Sequence, residues 1–338
     1  MKRTTDASLK HLNSFAVEAR AGQLLELESD RDLETFITKH HFDPARDLIM
    51  GGGSNILFAG DIEGSVILNR VTGKKIIEDS EDTVLLEASA GENWHQLVLW
   101  SLQQGLSGIE NLSLIPGLAG AAPMQNIGAY GVELADVLDS VQTLDLQNGQ
   151  SRTFQKTDCQ LAYRNSRFKS SDAGKYLITG IRLRLARKFT PVLTYKGLGE
   201  ELHSIGIKRP TAKQVSDAVI RIRQRKLPDP NIIGNSGSFF KNPMVSDGIA
   251  EQLTKEFAGI PVYAAGTGTK LSAAWLIEKC GWKGRSMGGA AVSEQHALVL
   301  INRNQATGAE ILQLADAIGE SVRERFGVVL EPEPLIKR

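Results

Sequence analysis

The stretch SLIPGLAGAAPMQNIGAYG, residues 113–131, constrains this chain more than any other. Its glycines and two prolines deny it a regular helix. It carries no charged side chain, so it is too apolar for a solvated linker. Such a backbone must pack close against another backbone or against a flat ligand. Gln125, Asn126 and Tyr130 interrupt it with polar groups. A tight buried crossover and a wall for a phosphate-bearing cofactor are both open readings.

The flanking segments read as a mixed α and β chain. Residues 30–41 place Leu33, Phe36 and Ile37 on one face of a short helix. DLIMGGGSNILF is an apolar run, a triple glycine and a second apolar run, which fits a hairpin or a phosphate cradle. SVILN and TVLLEASAG read as strands, and ENWHQLVLWSLQQGL as a helix closed by Gly105. SVQTLDLQNGQSRTF is a hairpin turning at Asn148-Gly149. GIRLRLARK alternates Ile181, Leu183 and Leu185 with arginines, the pattern of a half-buried strand. Beyond residue 200 the character changes. A Thr211/Gln214 capping box opens a helix that ends at KLPDP, followed by SAAWLIEKCGW (helix), HALVLIN (strand) and a long helix from Thr307. A boundary is expected near 188–210.

Composition excludes several functions. Lys+Arg and Asp+Glu are equal at 39 each, so no global field favours nucleic acid or an anionic membrane, and any anion needs a local site. Cys159 and Cys280 form no CxxC pair and read as small buried hydrophobes in a reducing compartment. The N-terminal MKRTTDASLKHLNSF lacks an apolar stretch, so no signal peptide is expected, and no apolar run is long enough to span a membrane. A cytoplasmic protein is expected.

Chemistry has few places to sit. GGGSN at 51–55 offers converging backbone N–H groups with Ser54 and Asn55, yet it is neither a Walker A nor a dinucleotide GxGxxG motif. GTGTK at 266–270 is a weaker candidate, better read as a turn before the Trp275 helix. Arg164 in YRNSRFK reads by default as a solvated surface residue. Lys226 ends a helix whose C-terminus it could complement. NSGSFFKNP at 235–243 is either an ordinary buried strand leaving a glycine turn or a device that holds the Ser238 hydroxyl rigid. VVLEPEP offers Glu331 and Glu333 near the chain end, where one can be exposed and the other inward. HExxH, spaced Cys/His clusters and GxSxG are missing, so metal hydrolysis and α/β-hydrolase chemistry lack support, and no metal is expected.

Taken together and in order, GGGSNILF, IPGLAGAAPMQNIGAYGVE, YRNSRFK, RxRxxKLPDP, GNSGSFFKNP and LEPE resemble the UDP-N-acetylenolpyruvoylglucosamine reductase family, flavoenzymes of bacterial cell-wall precursor synthesis. The resemblance runs from LNSF near residue 12 to LEPE at 330–333, and TPVLTYKGLGEEL at 190–202 looks like the tyrosine loop of type I members. It implies an α+β fold: a vanillyl-alcohol-oxidase-like, PCMH-type FAD-binding region over 15–188, the tyrosine loop and linker over 189–210, and a smaller C-terminal α/β substrate-binding domain over 211–338.

By this resemblance FAD is bound noncovalently, since no His or Cys flanks GGGSN, and NADPH is the cosubstrate. The cofactor positions implied are Gly51, Gly52, Gly53, Ser54, Asn55, Pro116, Gly117, Gln125, Asn126, Gly128, Ala129 and Gly131. Ser238 would protonate the substrate, and Arg164 and Glu333 would stabilise an enolate-like intermediate. Tyr195, Lys226 and Asn242 would hold the UDP diphosphate, with Tyr130 lining the substrate side. The implied partners are the UDP-sugar and NADPH, with no nucleic acid or membrane, and the implied state is a monomer. NSF stands at 13–15 where the family has NTF. The rivals are a flavin oxidase, which needs no proton donor or diphosphate clamp, and a non-catalytic nucleotide-binding protein, which needs no Arg164, Ser238 and Glu333 together.

Overall fold

Two compact units make up the computed structural model, which describes residues 1–266 and 268–338. Thr267, within GTGTK, lies outside the described residues. The first unit takes Met1–Ala7, Ala21–Gly52 and Ile62–Gln224, and the second takes Ser8–Arg20, Gly53–Asp61 and Arg225–Arg338.

In the first unit, Arg20–Leu27 and Leu48–Met50 flank Ile62–Asn69, both parallel to it. The helix Asp30–Lys39 carries the chain from Arg20–Leu27 across Ile62–Asn69 to the parallel strand Leu48–Met50. It starts where Ser29 accepts the Asp32 N–H at 3.2 Å, and it buries Leu33 and Phe36 against Leu25, Leu27 and Ile67. A second sheet is antiparallel, in the order Ser151–Gln155, Leu138–Asp145, Tyr176–Ala186, Thr83–Ser89, Lys74–Asp79. Ile181, Leu183 and Leu185 are fully buried there, while Arg182 and Arg184 pair with Glu87 and Glu78. The helix Trp94–Gln103 sits in the same core, with Trp94, Leu97 and Val98 among Val84, Leu86, Ile181 and Leu183.

The helices Lys196–Ser204 and Ala212–Lys226 share a small core of Leu198, Leu202, Val215, Ala218, Val219 and Ile222, with Tyr130 and Phe189 packed on it. Each large apolar side chain buried there contributes about 1.5–3 kcal/mol. This core draws residues 212–224 into the first unit, although the sequence reading assigns them to the C-terminal domain.

In the second unit, the strands Gly234–Ser238, Val299–Asn302, Ala290–Val292 and Ser286–Met287 form an antiparallel sheet in that order. The helix Gly308–Phe326 begins at a Thr307/Glu310 capping box and ends at Gly327 (φ +67°). The GGGSN hairpin alternative fails. Leu48–Met50 pairs with Ile62–Asn69, whereas Ile56–Phe58 pairs in parallel with the C-terminal Leu335–Lys337. Both cysteines are free. Burial pushes the Cys159 thiol up to about 12 and raises that of Cys280.

Candidate active site

Within the first unit, the two glycine-rich segments lie back to back. A Cβ on Gly52 would sit 3.3 Å from Gly117 Cα, and one on Gly51 would sit 3.3 Å from Ala121 Cβ. Residues 117–120 are fastened to residues 90–94: Trp94 N–H donates to Gly117 O at 3.1 Å, Ala119 N–H to Glu92 O at 2.8 Å and Gly120 N–H to Ala90 O at 2.9 Å. Backbone therefore packs on backbone, as the composition demands, and a side chain on Gly52 would have to push the Gly117 backbone aside by a few tenths of an ångström.

The next stretch is conformationally strained. Asn126, Tyr130 and Arg164 all lie at positive φ (45°, 51° and 52°), which costs an L-residue about 1–2 kcal/mol each. Such costs gather where function fixes the backbone. The Asn126 amide is spent inside the protein, donating to Glu133 Oε2 at 2.8 Å and Ala162 O at 3.3 Å and accepting from Ala135 N–H at 2.9 Å. It braces the loop. Lys169 reaches Gln125 Oε1 at 3.4 Å.

Arg164 is not the solvated residue of the default reading. Ala162 and Asn165 exchange both backbone hydrogen bonds at 3.1 Å, which puts Tyr163 and Arg164 at the corner of a tight turn. The half-buried Arg164 guanidinium donates to Gly128 O at 3.0 Å and lies 5.3 Å from the Tyr163 ring centre. Tyr130 meets Tyr195 edge to face with ring centres 4.9 Å apart, and Asn111 Nδ2 donates to Tyr130 O at 2.8 Å. Two residues predicted to line the substrate are thus in contact. Sequence reasoning gave no role to Arg223, which hydrogen-bonds to Tyr130 beside Arg164, nor to His95, whose Nδ1 accepts the Leu114 N–H at 3.0 Å. Burial first, and then the Arg223 charge, lower the His95 pKa. The only sequence signal for Arg223 was its place in RxRxxKLPDP.

Within the second unit, Ser238 ends a strand broken by one extra residue: Asn235 pairs with Ile301 and Ser238 with Val299. Gly237 (φ +73°) absorbs the bulge, its N–H held by Asn235 Oδ1 at 2.9 Å. Phe239 and Phe240 are buried immediately after it, with ring centres 5.1 Å apart. A strand leaving a glycine turn and a serine followed at once by two buried rings are both present, the features that the two readings of NSGSFFKNP share. Glu333 N–H donates to Phe239 O at 2.8 Å and Lys241 N–H to Glu331 O at 2.9 Å, so the Ser238 and Glu333 segments run paired. Glu331 points outward to Lys241 at 3.0 Å, and Glu333 is half-buried.

The turn at Gly53–Asn55 joins the same construction. Gly53 (φ +63°) packs so tightly that a Cβ would run into the Leu12 carbonyl. Asn55 Nδ2 donates to Glu333 O at 3.4 Å. Ser14 links the parts: its hydroxyl donates to Ser54 O at 3.3 Å, its N–H to Gly53 O at 3.0 Å, and its carbonyl accepts the Asn235 N–H at 2.9 Å. A hydroxyl suffices there, which accounts for serine in place of the family's threonine. Asn242 Oδ1 accepts the Ala273 N–H at 3.0 Å, fixing its amide at a helix start. Lys226 lies close enough to His296 to help burial lower that imidazole's pKa.

A tightly packed glycine cradle, a fixed apolar wall and strained loops presenting arginine suit a flat, diphosphate-bearing cofactor. Residues 23–155 match a family described as an FAD binding domain. Fold, cradle and match define an FAD-dependent oxidoreductase of α+β architecture. Residues 229–337 match the UDP-N-acetylenolpyruvoylglucosamine reductase C-terminal domain. The chain is 45% identical over 337 residues to the reductase of that name from Azoarcus sp. (strain BH72), covering 98% of this chain and 97% of the relative. It is 47% identical over 328 residues to the one from Pseudomonas aeruginosa, covering 97% and 96%. The chain belongs to the UDP-N-acetylenolpyruvoylglucosamine reductase family. A crystal structure of a reductase so named from Thermus caldophilus shares the fold, with a TM-score of 0.66, 23% identity and coverage of 100% and 98%.

Proposed function

We propose that this chain reduces the enolpyruvyl group of UDP-N-acetylglucosamine enolpyruvate, using NADPH, to give UDP-N-acetylmuramate for peptidoglycan precursor synthesis. The observation that carries the reading is the paired Ser238 and Glu333 segments, a hydroxyl fixed by a bulge and two buried rings beside a carboxylate-bearing strand. When bound, FAD supplies a two-electron relay between NADPH and the substrate.

The protein's own residues do the rest. Backbone at Gly51, Gly52, Gly53, Pro116, Gly117, Gly128, Ala129 and Gly131, with Ser54, Asn55, Gln125 and Asn126, binds and orients the cofactor. Arg164 and Glu333 stabilise the negative charge that develops on the substrate next to its carboxylate. Ser238 delivers a proton to the adjacent carbon. A serine hydroxyl is a weak acid, but its acceptor is a strongly basic carbanion, so placement matters more than pKa. Lys226, Tyr195 and Asn242 hold the diphosphate, and Tyr130 lines the substrate. No helix among the described residues is long and apolar enough to cross a membrane, and we place the enzyme in the cytoplasm as a monomer.

Anaerobic half-reactions on the Ser238→Ala protein test the assignment. Bleaching by NADPH should persist while recovery on adding the enolpyruvyl substrate slows by about 10²–10⁴-fold. Equal slowing of both halves would make Ser238 structural.

A further inference from the structure

Asn111 is fully buried in the short turn Glu110–Leu112. The turn is fixed without its side chain. Trp94 Nε1 donates to Leu112 O at 3.0 Å, and the Ser113 hydroxyl, bonded to Glu110 O at 2.7 Å, meets the Ser216 hydroxyl at 2.8 Å. The Asn111 amide instead donates to Tyr130 O at 2.8 Å and to Val192 O at 2.9 Å. Two carbonyls at one end of the side chain identify that end as the NH2. Its Oδ1 is shut off from solvent and has no partner among the described residues. A buried acceptor left unmet is destabilising, and the turn gains nothing from it. What the amide does is hold two distant segments together. Tyr130 sits at the tip of the hairpin that joins Gly128–Ala129 to Val132–Glu133. Val192 lies outside any regular element, between the strand Tyr176–Ala186 and the helix Lys196–Ser204. The chain beyond Val192 stays against this hairpin. A Cβ on Gly131 (φ +87°) would run into Thr194 Oγ1, and the Tyr195 ring meets the Tyr130 ring edge to face. Tyr195 then leads into the helix Lys196–Ser204, which Leu198 and Leu202 fasten to Val215, Val219 and Ile222. Tyr195 is therefore held from both sides, by the helix after it and by the tethered carbonyl before it.

We propose that Asn111 is a positioning residue for UDP-sugar binding: by holding the Tyr130 and Val192 carbonyls on one amide, it fixes the Tyr130–Tyr195 pair in the arrangement that receives the ligand. The proposal rests on the function given above, in which Tyr195 holds the diphosphate and Tyr130 lines the substrate. Being fully buried, Asn111 touches neither substrate nor cofactor and acts only through the two tyrosines. A segment released from the amide must be ordered when the ligand binds, and that ordering is taken from affinity. Loss of the amide should therefore appear in binding and leave the redox steps alone.

The test uses holoenzyme carrying Asn111→Leu, which keeps the volume and removes both N–H groups, with Tyr195→Ala and the double variant beside it. Amide hydrogen exchange needs no ligand. Peptides covering residues 190–204 should exchange about tenfold faster or more in Asn111→Leu, while the rest of the protein exchanges as in the parent. Steady-state kinetics should show the KM for the enolpyruvyl substrate raised about tenfold or more, with kcat within about threefold of the parent. In the Tyr195→Ala background, Asn111→Leu should raise KM by less than about twofold further, because residues that act through one another are not additive. Asn111→Asp keeps the shape and donates at most one hydrogen bond; it should show the same pattern, and it serves alone if the leucine variant does not fold. Unchanged exchange at 190–204, faster exchange throughout the protein with KM unmoved, a loss confined to kcat, or full additivity with Tyr195→Ala would each overturn the proposal. Should the parent itself fail to turn over the UDP-sugar, the functional reading falls, and the exchange pattern alone decides whether Asn111 holds the tyrosine segment.

Discussion

Lys226 stands at the end of a helix, where a cation can do either of two jobs. As a diphosphate clamp it would serve both the UDP-sugar and NADPH. A charge-assisted contact of that kind is worth about 1.5–3 kcal/mol, so Lys226→Ala should weaken both ligands by about one to two orders of magnitude. As a helix-end charge it would leave affinity alone and lower the melting temperature slightly. Titration and thermal unfolding of the same variant separate these outcomes. His95 gives a prediction of different sign. Its imidazole titrates below the ordinary 6.5 in the folded state because burial and Arg223 disfavour its charged form. The unfolded chain therefore takes up this proton first as pH falls. Stability from neutral His95 is complete above 6.5 and is lost as pH drops through that value toward the lowered folded one. His95→Asn, which keeps an acceptor for the Leu114 N–H, should flatten the fall in melting temperature between about pH 7 and pH 5.5. An unchanged slope would show that the ring is solvated.

At the scale of elements, the two glycine-rich segments depend on each other. Gly52→Val would drive a branched side chain into Gly117 Cα, 3.3 Å from where its Cβ must sit, and should yield folded protein without FAD. Purification of that variant with a full complement of flavin would refute the cradle. Much of this level was legible in the sequence. The 3.6-residue spacing of Leu33, Phe36 and Ile37 and the alternation of Ile181, Leu183 and Leu185 record burial directly, and both elements form. The GSFF aromatics signalled burial directly after Ser238, and both rings are buried. What was not legible was pairing. Nothing local to GGGSN states that Ile56–Phe58 joins the C-terminal strand, nor that Ser14 bonds to both Ser54 and Asn235. The default solvated reading of Arg164 failed for the same reason: its neighbours in sequence are polar, while its guanidinium is held by the Gly128 carbonyl, 36 residues away.

The whole molecule is discontinuous in a way that periodicity does not encode. Ser8–Arg20 and Gly53–Asp61 belong with the C-terminal unit, and the turn at residues 51–55 passes from one unit to the other. The ordered motif set nevertheless carried the functional reading, because it records which side chains the chemistry needs rather than how strands pair. The central claim is that one protein-bound flavin passes electrons from NADPH to an enolpyruvyl UDP-sugar and needs that substrate for turnover. An anaerobic absorption experiment tests it most directly. The purified protein should show a flavin band that NADPH bleaches, that stays bleached on standing, and that returns in full when UDP-N-acetylglucosamine enolpyruvate is added. A band that fails to bleach, or one that returns only on admitting oxygen and ignores the substrate, would contradict the account.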